Sequence, residues 1–146
     1  MAGYNLKLPA ELIKNFKHLE NNTEQMLGEM TRAGAEVIYN KVKTNMKKSF
    51  KSTDSLEKGL KITKAYKTMY DDGVNTKVGF YGYNEKGIPI PLIALAREYG
   101  TSKGEKKKPF FRKAFRQETA IVKAMQEVQD RYIKNEWLCI TKNYIQ

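Results

Sequence analysis

What most constrains this chain is a change of hydrophobic period along it. Apolar residues recur every three or four positions from Ala10 to about Phe50, every second position from Leu60 to Phe80, and every three or four again after Pro109. The first and last patterns lay an apolar stripe along a helix, and the middle one lays it on the face of a strand. The order is therefore long helix, antiparallel β-hairpin or small sheet, short helix, long C-terminal helix, an α+β arrangement. The chain has 146 residues. That length fits one domain, 1–146, with residues 1–8 a candidate extended arm and residues 135–146 a candidate C-terminal arm or strand.

Pro9 can open the first helix, because its missing N–H costs nothing at the first position. The stripe then runs through Leu12, Phe16, Leu19, Met26 or Leu27, Met30, Ala33 or Gly34, Val37 or Ile38, Val42 and Met46. Asn21-Asn22-Thr23 leaves open one long helix or two nearly collinear ones. The opposite face carries Lys41, Lys43, Lys47 and Lys48. Residues 52–55 read as a connecting loop. Leu60, Ile62, Tyr66 and later Tyr70 fall on one side of the outgoing strand, and Val74, Thr76, Val78 and Phe80 share one face of the return. Asp71-Asp72-Gly73 between them is a turn, since Asp-Gly tolerates positive φ; it is not read as a catalytic dyad.

Two prolines and a glycine make Tyr83–Pro91 a loop. Leu92–Tyr99 is a short, largely buried helix, and Gly100 is its C′ residue in left-handed geometry. Thr101–Lys108 is a basic loop. Pro109 opens the last helix, expected to reach about Ile133. Its stripe is Phe111, Phe115, Val122, Met125 and Tyr132, widened by Ala114, Ile121 and Val128. A 25-residue helix is roughly 37 Å long, more than one small domain readily covers, so part of it is expected to face another subunit.

Residues that carry chemistry are sparse. His18 is the only histidine and Cys139 the only cysteine. No disulfide can form within the chain, and clustered zinc or iron ligands are absent. Cys139 reads as a small buried or half-buried apolar residue. Gly79-x-x-Gly82 ends a strand and lacks the Lys-Ser or Lys-Thr of a phosphate loop. A non-catalytic chain without cofactor or metal is expected. The start, Met1–Lys7, lacks the apolar run of a signal peptide, and no stretch approaches the ~20 apolar residues of a membrane span. A reducing cytoplasm and no membrane partner are the matching expectations.

The formal charge of +11 and pI of about 9.6 point to a polyanionic partner without choosing it, and lysine-rich surfaces also serve solubility alone. The densest basic stretch is Lys103, Lys106, Lys107, Lys108, Arg112, Lys113 and Arg116, interleaved with Phe110, Phe111 and Phe115. Such a mixture suits nucleic acid. Phe111 and Phe115, however, lie one helical turn apart on the presumed core face, where they read as anchors. Glu98 can cap or pair with Arg112 at the start of the last helix.

The stretch Ala94-Leu95-Ala96-Arg97-Glu98-Tyr99-Gly100-Thr101-Ser102, followed after the basic loop by Pro109-Phe110-Phe111-Arg112-Lys113-Ala114-Phe115, resembles the head–tail joining family of tailed bacteriophages. Members, also called neck, tail-completion or tail-component proteins, have a long N-terminal helix, a β-sheet, a Glu-aromatic-Gly-Thr element and a Pro-Phe-x-Arg-x-Ala start to the final helix. The order of elements matches over about residues 10–134, and the sharp motifs cover 94–115. Gly59-Leu60 is a looser version of the family's Gly-x-Leu. The motif residues here are Glu98, Tyr99, Gly100, Thr101, Pro109, Phe110 and Arg112. The resemblance implies a virion protein made in the host bacterial cytoplasm, a ring subunit expected as a hexamer. Its implied neighbours are copies of itself, the head-closure or connector protein, and the tail terminator or tail tube protein. DNA would pass through the ring, and Lys103, Lys106, Lys107 and Lys108 would meet that DNA or an acidic ring. The long helices, the Tyr83–Pro91 loop and the apolar tail are candidate ring contacts. The alternative is a small basic nucleic-acid-binding protein.

Overall fold

The computed structural model describes residues 10–51, 54–70 and 73–144, with side chains for Lys17 and from 20 to 135. The candidate arm at 1–8, the Asp71-Asp72 turn, and the side chains of Leu12, Phe16, His18, Leu19 and Cys139 lie outside the described residues.

Helix α1 spans Ala10–Ser49 without a break. Forty residues at 1.5 Å each make it about 60 Å long. Asn21-Asn22-Thr23 lies inside it, because each such residue lowers helix propensity by only a few tenths of a kcal/mol. Polar contacts flank the cluster: Glu24 pairs with Lys67 and Gln25 donates to Glu29 one turn on. The buried side of α1 includes Ala35, Val42 and Met46.

Asp54 and Ser55, expected to be loop, instead open a short helix, α2, Asp54–Gly59. Six residues are too few to show a period. Asp54 and Glu57 favour its N-terminal end, and Leu56 is fully buried.

The hairpin is built from β1 (Leu60–Ile62), β2 (Tyr66–Lys67), β3 (Val74–Asn75) and β4 (Val78–Phe80). β1 pairs antiparallel with β4, Leu60 opposite Phe80, and β2 with β3, Tyr66 opposite Asn75. Three residues separate β1 from β2, but only two separate β3 from β4. One extra residue in the outgoing strand is a bulge, and it moves every later side chain to the other face. Tyr66 therefore does not continue the Leu60–Ile62 side; it is exposed, and Tyr70 is fully so. Thr63 marks the irregular point: its N–H donates to the Lys77 carbonyl and its hydroxyl accepts from the Lys77 N–H, both at 2.9 Å. The loop beyond Lys67 is longer than a two-residue Asp-Gly turn, closed by Thr68 on the Gly73 carbonyl.

Tyr83 and Pro89 form an isolated antiparallel bridge around a turn held by the Asn84 side chain. Helix α3, Ile90–Tyr99, follows, with Pro91 in its first turn, where proline is tolerated. A 3-10 helix covers Arg112–Arg116, and α4 runs from Glu118 to Tyr144. Pro109 thus does not open the last helix. Gln117, at φ −101° and ψ 39°, separates the 3-10 turn from α4 and resets the helical phase. The stripe moves with it. Phe115 and Val122 are exposed, while Ile121, Met125, Val128 and Tyr132 face inward to varying depth. The tail expected as an arm from 135 is helix as far as Tyr144.

The core lies at the C-terminal end of α1. Val42 and Met46 meet Leu56, Leu60, Ile90, Ala94, Phe110 and Ala114. α4 packs back along α1, where Gly34 lets the two helices close: a Cβ there would stand 3.0 Å from Met125 Cε and 3.2 Å from Ile121 Cγ2. No helix among the described residues is long and apolar enough to cross a membrane.

Candidate functional site

The two motif stretches meet in space. Helix α3 presents Ile90, Ala94 and Glu98 to the core at intervals of four, so a carboxylate arrives among apolar neighbours, 4% exposed. A charge so placed is costly unless it is paired and hydrogen-bonded. Glu98 Oε2 accepts from the backbone N–H groups of Phe110 (2.8 Å) and Phe111 (2.9 Å). Oε1 accepts from the Arg112 N–H and from Arg112 Nε, each at 3.3 Å. Burial alone would raise the carboxyl pKa. The bonds from Phe111, Phe110 and Arg112 together outweigh it and hold the group below its ordinary value of 4.5. With its acceptor positions taken by four donors, Glu98 ties the loop together and is poorly placed to exchange protons with solvent. The expected pairing with Arg112 is present, and the backbone caps are the larger part of it.

Gly100 ends α3 at φ 82°, ψ 175°. The positive φ matches expectation, but ψ puts the residue in an extended region that only glycine enters freely, rather than the left-handed helical one. An added Cβ would lie 2.6 Å from the Glu105 carbonyl oxygen. Thr101 is exposed and its backbone closes a tight loop: its N–H donates to Glu105 O and its carbonyl accepts from Gly104 N–H. The Lys108 N–H returns to the Arg97 carbonyl at 3.0 Å. Pro109, half-buried, then delivers Phe110 into the core. Phe110 is fully buried, edge-on to Phe50 and Phe80 at 5.4 and 6.0 Å, and Asn45 Nδ2 donates to its carbonyl. It is the anchor that Phe115 was expected to be. Tyr99 stands outside with the Arg112 guanidinium 4.8 Å from its ring centroid.

The lysines divide. Lys106 and Lys108 line a recess of about 1000 Å³ at the end of α1, together with Lys47, Lys48, Lys51 and Arg97. Lys103 and Lys107 are exposed on the loop outside that lining. Lys108 is already engaged: Nζ donates to the Ser49 carbonyl at 3.3 Å and sits 5.6 Å from the Phe50 ring centroid. Cations at the C-terminal end of α1 also offset its dipole. The recess joins two basic runs about sixty residues apart, and no linear pattern announces that meeting.

On the opposite side of α3, Leu92, Leu95 and Tyr99 are each more than half exposed, so the helix is not largely buried as expected. Leu95 and Tyr99 border an apolar groove of about 460 Å³ whose walls include Val78, Phe80, Phe111 and Phe115. Among the described residues no group of three His, Cys, Asp or Glu is placed to hold a metal ion. The stapled loop is thus flanked by a basic recess and an apolar groove.

Compared with known proteins, the chain matches no family model, no curated protein and no solved structure.

Proposed function

We propose that this chain is a non-catalytic head–tail joining subunit of a tailed bacteriophage, a ring component between the DNA-filled head and the tail. The observation that carries the reading is the pair of motif stretches, Glu98–Thr101 and Pro109–Ala114, which Glu98 binds into one unit through the Phe110, Phe111 and Arg112 amides. That unit presents its exposed residues on either side of the core end, which is what a subunit with neighbours on both flanks requires. The basic recess supports contact with passing DNA or with an acidic ring above or below. Removing the chain from a phage or prophage that encodes it is expected to leave filled heads and finished tails that fail to join, seen by electron microscopy of lysates. Infectious particles formed at normal titre without it overturn the proposal.

The recess also favours a second reading, a general nucleic-acid-binding protein. Lys47, Lys48, Lys51 and Lys106 converge there without help from a partner chain. This reading expects binding to free duplex DNA that weakens steeply with salt, and loss of binding in a Lys48→Glu, Lys106→Glu chain. Absence of binding at low salt removes it.

A further inference from the structure

Two of the apolar surfaces left in water differ in shape: one projects and one recedes. The projecting one is the hairpin tip, where Met69 is 96% and Tyr70 100% exposed. β2 and β3 carry the hairpin back along α1, with Ala65 beside Gly28 and Lys67 paired with Glu24, and the tip lies past those contacts. The receding one is the groove beside α3, where Leu95, Tyr99 and Phe115 stand about half exposed. Its lining is rich in rings: the Phe111 centroid lies 5.7 Å from that of Phe80 and 5.1 Å from that of Phe115. Tyrosine and methionine suit such a lining, since a ring adds edge-on to rings already there and a thioether bends to fit. Charge matches the two surfaces as well. Asp71 and Asp72 follow Tyr70 and are the only adjacent acids in a chain of formal charge +11. The lysine that precedes the tip in sequence, Lys67, is already paired with Glu24. The 3-10 turn that carries Phe115 also carries Arg112, Lys113 and Arg116, all exposed. An acidic apolar tip is ill suited to nucleic acid or an anionic membrane, and well suited to an apolar groove with a basic rim.

We infer that the hairpin tip of one copy of this chain seats in the α3 groove of a second copy. Tyr70 enters among Leu95, Tyr99 and Phe115, and Asp71 and Asp72 meet the charges of Lys113 and Arg116. A chain cannot do this to itself. The hairpin's contacts on α1 run from Thr31 at Thr76 to Glu24 at Lys67, away from the groove, whose Phe110 is bound at Asn45. The unbroken helix holds Glu24 and Asn45 about 32 Å apart. The contact needs only two copies. A reciprocal pair closes a two-fold dimer, and a one-way series makes a ring or a filament; tip and groove are used alike in each. It stands apart from the neck reading, which can fail without it.

Photo-crosslinking of full-length chains tests it. Tyr70 is replaced by benzoylphenylalanine, which keeps a ring at the tip, in an equal mixture of unlabelled and isotope-labelled chains. Illumination is expected to join the tip to Leu95, Tyr99 or Phe115 in products that carry both labels. Products confined to one label, products on other surfaces, or none at millimolar chain overturn the inference. Sedimentation of the same chains reads the strength of the contact. Tyr70→Ser and Leu95→Glu should each raise the dissociation constant roughly thirtyfold or more, as at the centre of an interface. Tyr70 is fully exposed, so Tyr70→Ser should leave the thermal transition where it was. A chain with Asp71→Lys and Asp72→Lys should associate poorly with itself, as should one with Lys113→Asp and Arg116→Asp. Mixing the two should restore association, which a folding defect in either could not do. Association that survives Tyr70→Ser, or that mixing fails to restore, overturns the inference as well.

Discussion

The two halves of α1 are held by different means. Toward Ser49 the helix is enclosed by α2, the hairpin, α3 and the 3-10 turn, and Val42, Met46, Leu56 and Phe110 are fully buried. Toward its middle, among the described residues, it packs against α4 and the edge of the hairpin. There Gly34 and Ala35 allow close approach, Val128 is deeply buried among the described side chains of α4, and a polar pair, Tyr132 to Glu29, ties the helices. Val122 and Ile133 of α4 remain exposed beside it. The difference teaches where cooperativity resides. The stapled end carries its own core, whereas the paired helices hold by partial burial and leave apolar surface exposed. Damage at the first should cost global stability, and damage at the second should stay local.

The largest effect is expected at Glu98. Glu98→Ala leaves three backbone N–H groups, that of Phe110 in the core, and the half-exposed Arg112 Nε without their acceptor. The loss should be about 2–4 kcal/mol, a large share of a typical domain's stability, read as a lower denaturant midpoint with unchanged slope. Glu98→Gln should lose less, because one oxygen still accepts. The acid response has a definite sign. A carboxyl held below its ordinary value in the folded chain contributes fully above that value, and the contribution fades as pH falls through the lowered one. The stability difference between native chain and Glu98→Gln should therefore be constant near neutrality and narrow below about pH 4.5. A difference that widens in acid would mean that Glu98 is held protonated instead.

Gly100→Ala should rank second. Its φ of 82° with extended ψ costs a side chain about 1–3 kcal/mol before any clash, and the Cβ would press on the Glu105 carbonyl at 2.6 Å. The backbone of the basic loop must shift to accept it. Faster amide exchange at Thr101 and Lys108, with Tyr132 unaffected, is the expected signature. Uniform loosening of both halves would break the distinction between them.

Much of this was legible before the structure. Period located α1 and, with Asp-Gly, the hairpin; prolines and Gly100 bounded α3; and the Glu98–Arg112 pairing and the positive φ at Gly100 followed from helix-end chemistry. What failed has physical reasons. Helix α2 is shorter than two turns, so it leaves no period to read. The bulge before Tyr66 adds one residue to a strand, which inverts a face without altering composition. The step at Gln117 follows a 3-10 turn whose first amide is held by Glu98, fourteen residues upstream of Arg112, so the phase of α4 could not be taken from Pro109. The recess needs α1 and the 101–108 loop side by side, a tertiary fact. The apolar groove cannot be read from spacing either, since it consists of what the chain leaves uncovered.

The smallest effect sharpens the comparison from the other side. Tyr132 OH donates to Glu29 Oε1 at 2.7 Å across the α1–α4 seam. The bond lowers the Glu29 carboxyl from its ordinary value and, together with burial, raises the Tyr132 hydroxyl. Both groups are only half-buried, so water can replace much of what is lost. Tyr132→Phe should cost about 0.5–1 kcal/mol, the usual net worth of one hydrogen bond. The Glu29 titration, followed by carboxyl NMR, should move back up toward the ordinary range while that of Glu98 stays where it was. Exchange should quicken along α4 near Val128 and leave Phe110 protected. If Phe110 loosens as well, the two halves unfold as one unit, and the stapled end is not the independent support that its buried core implies.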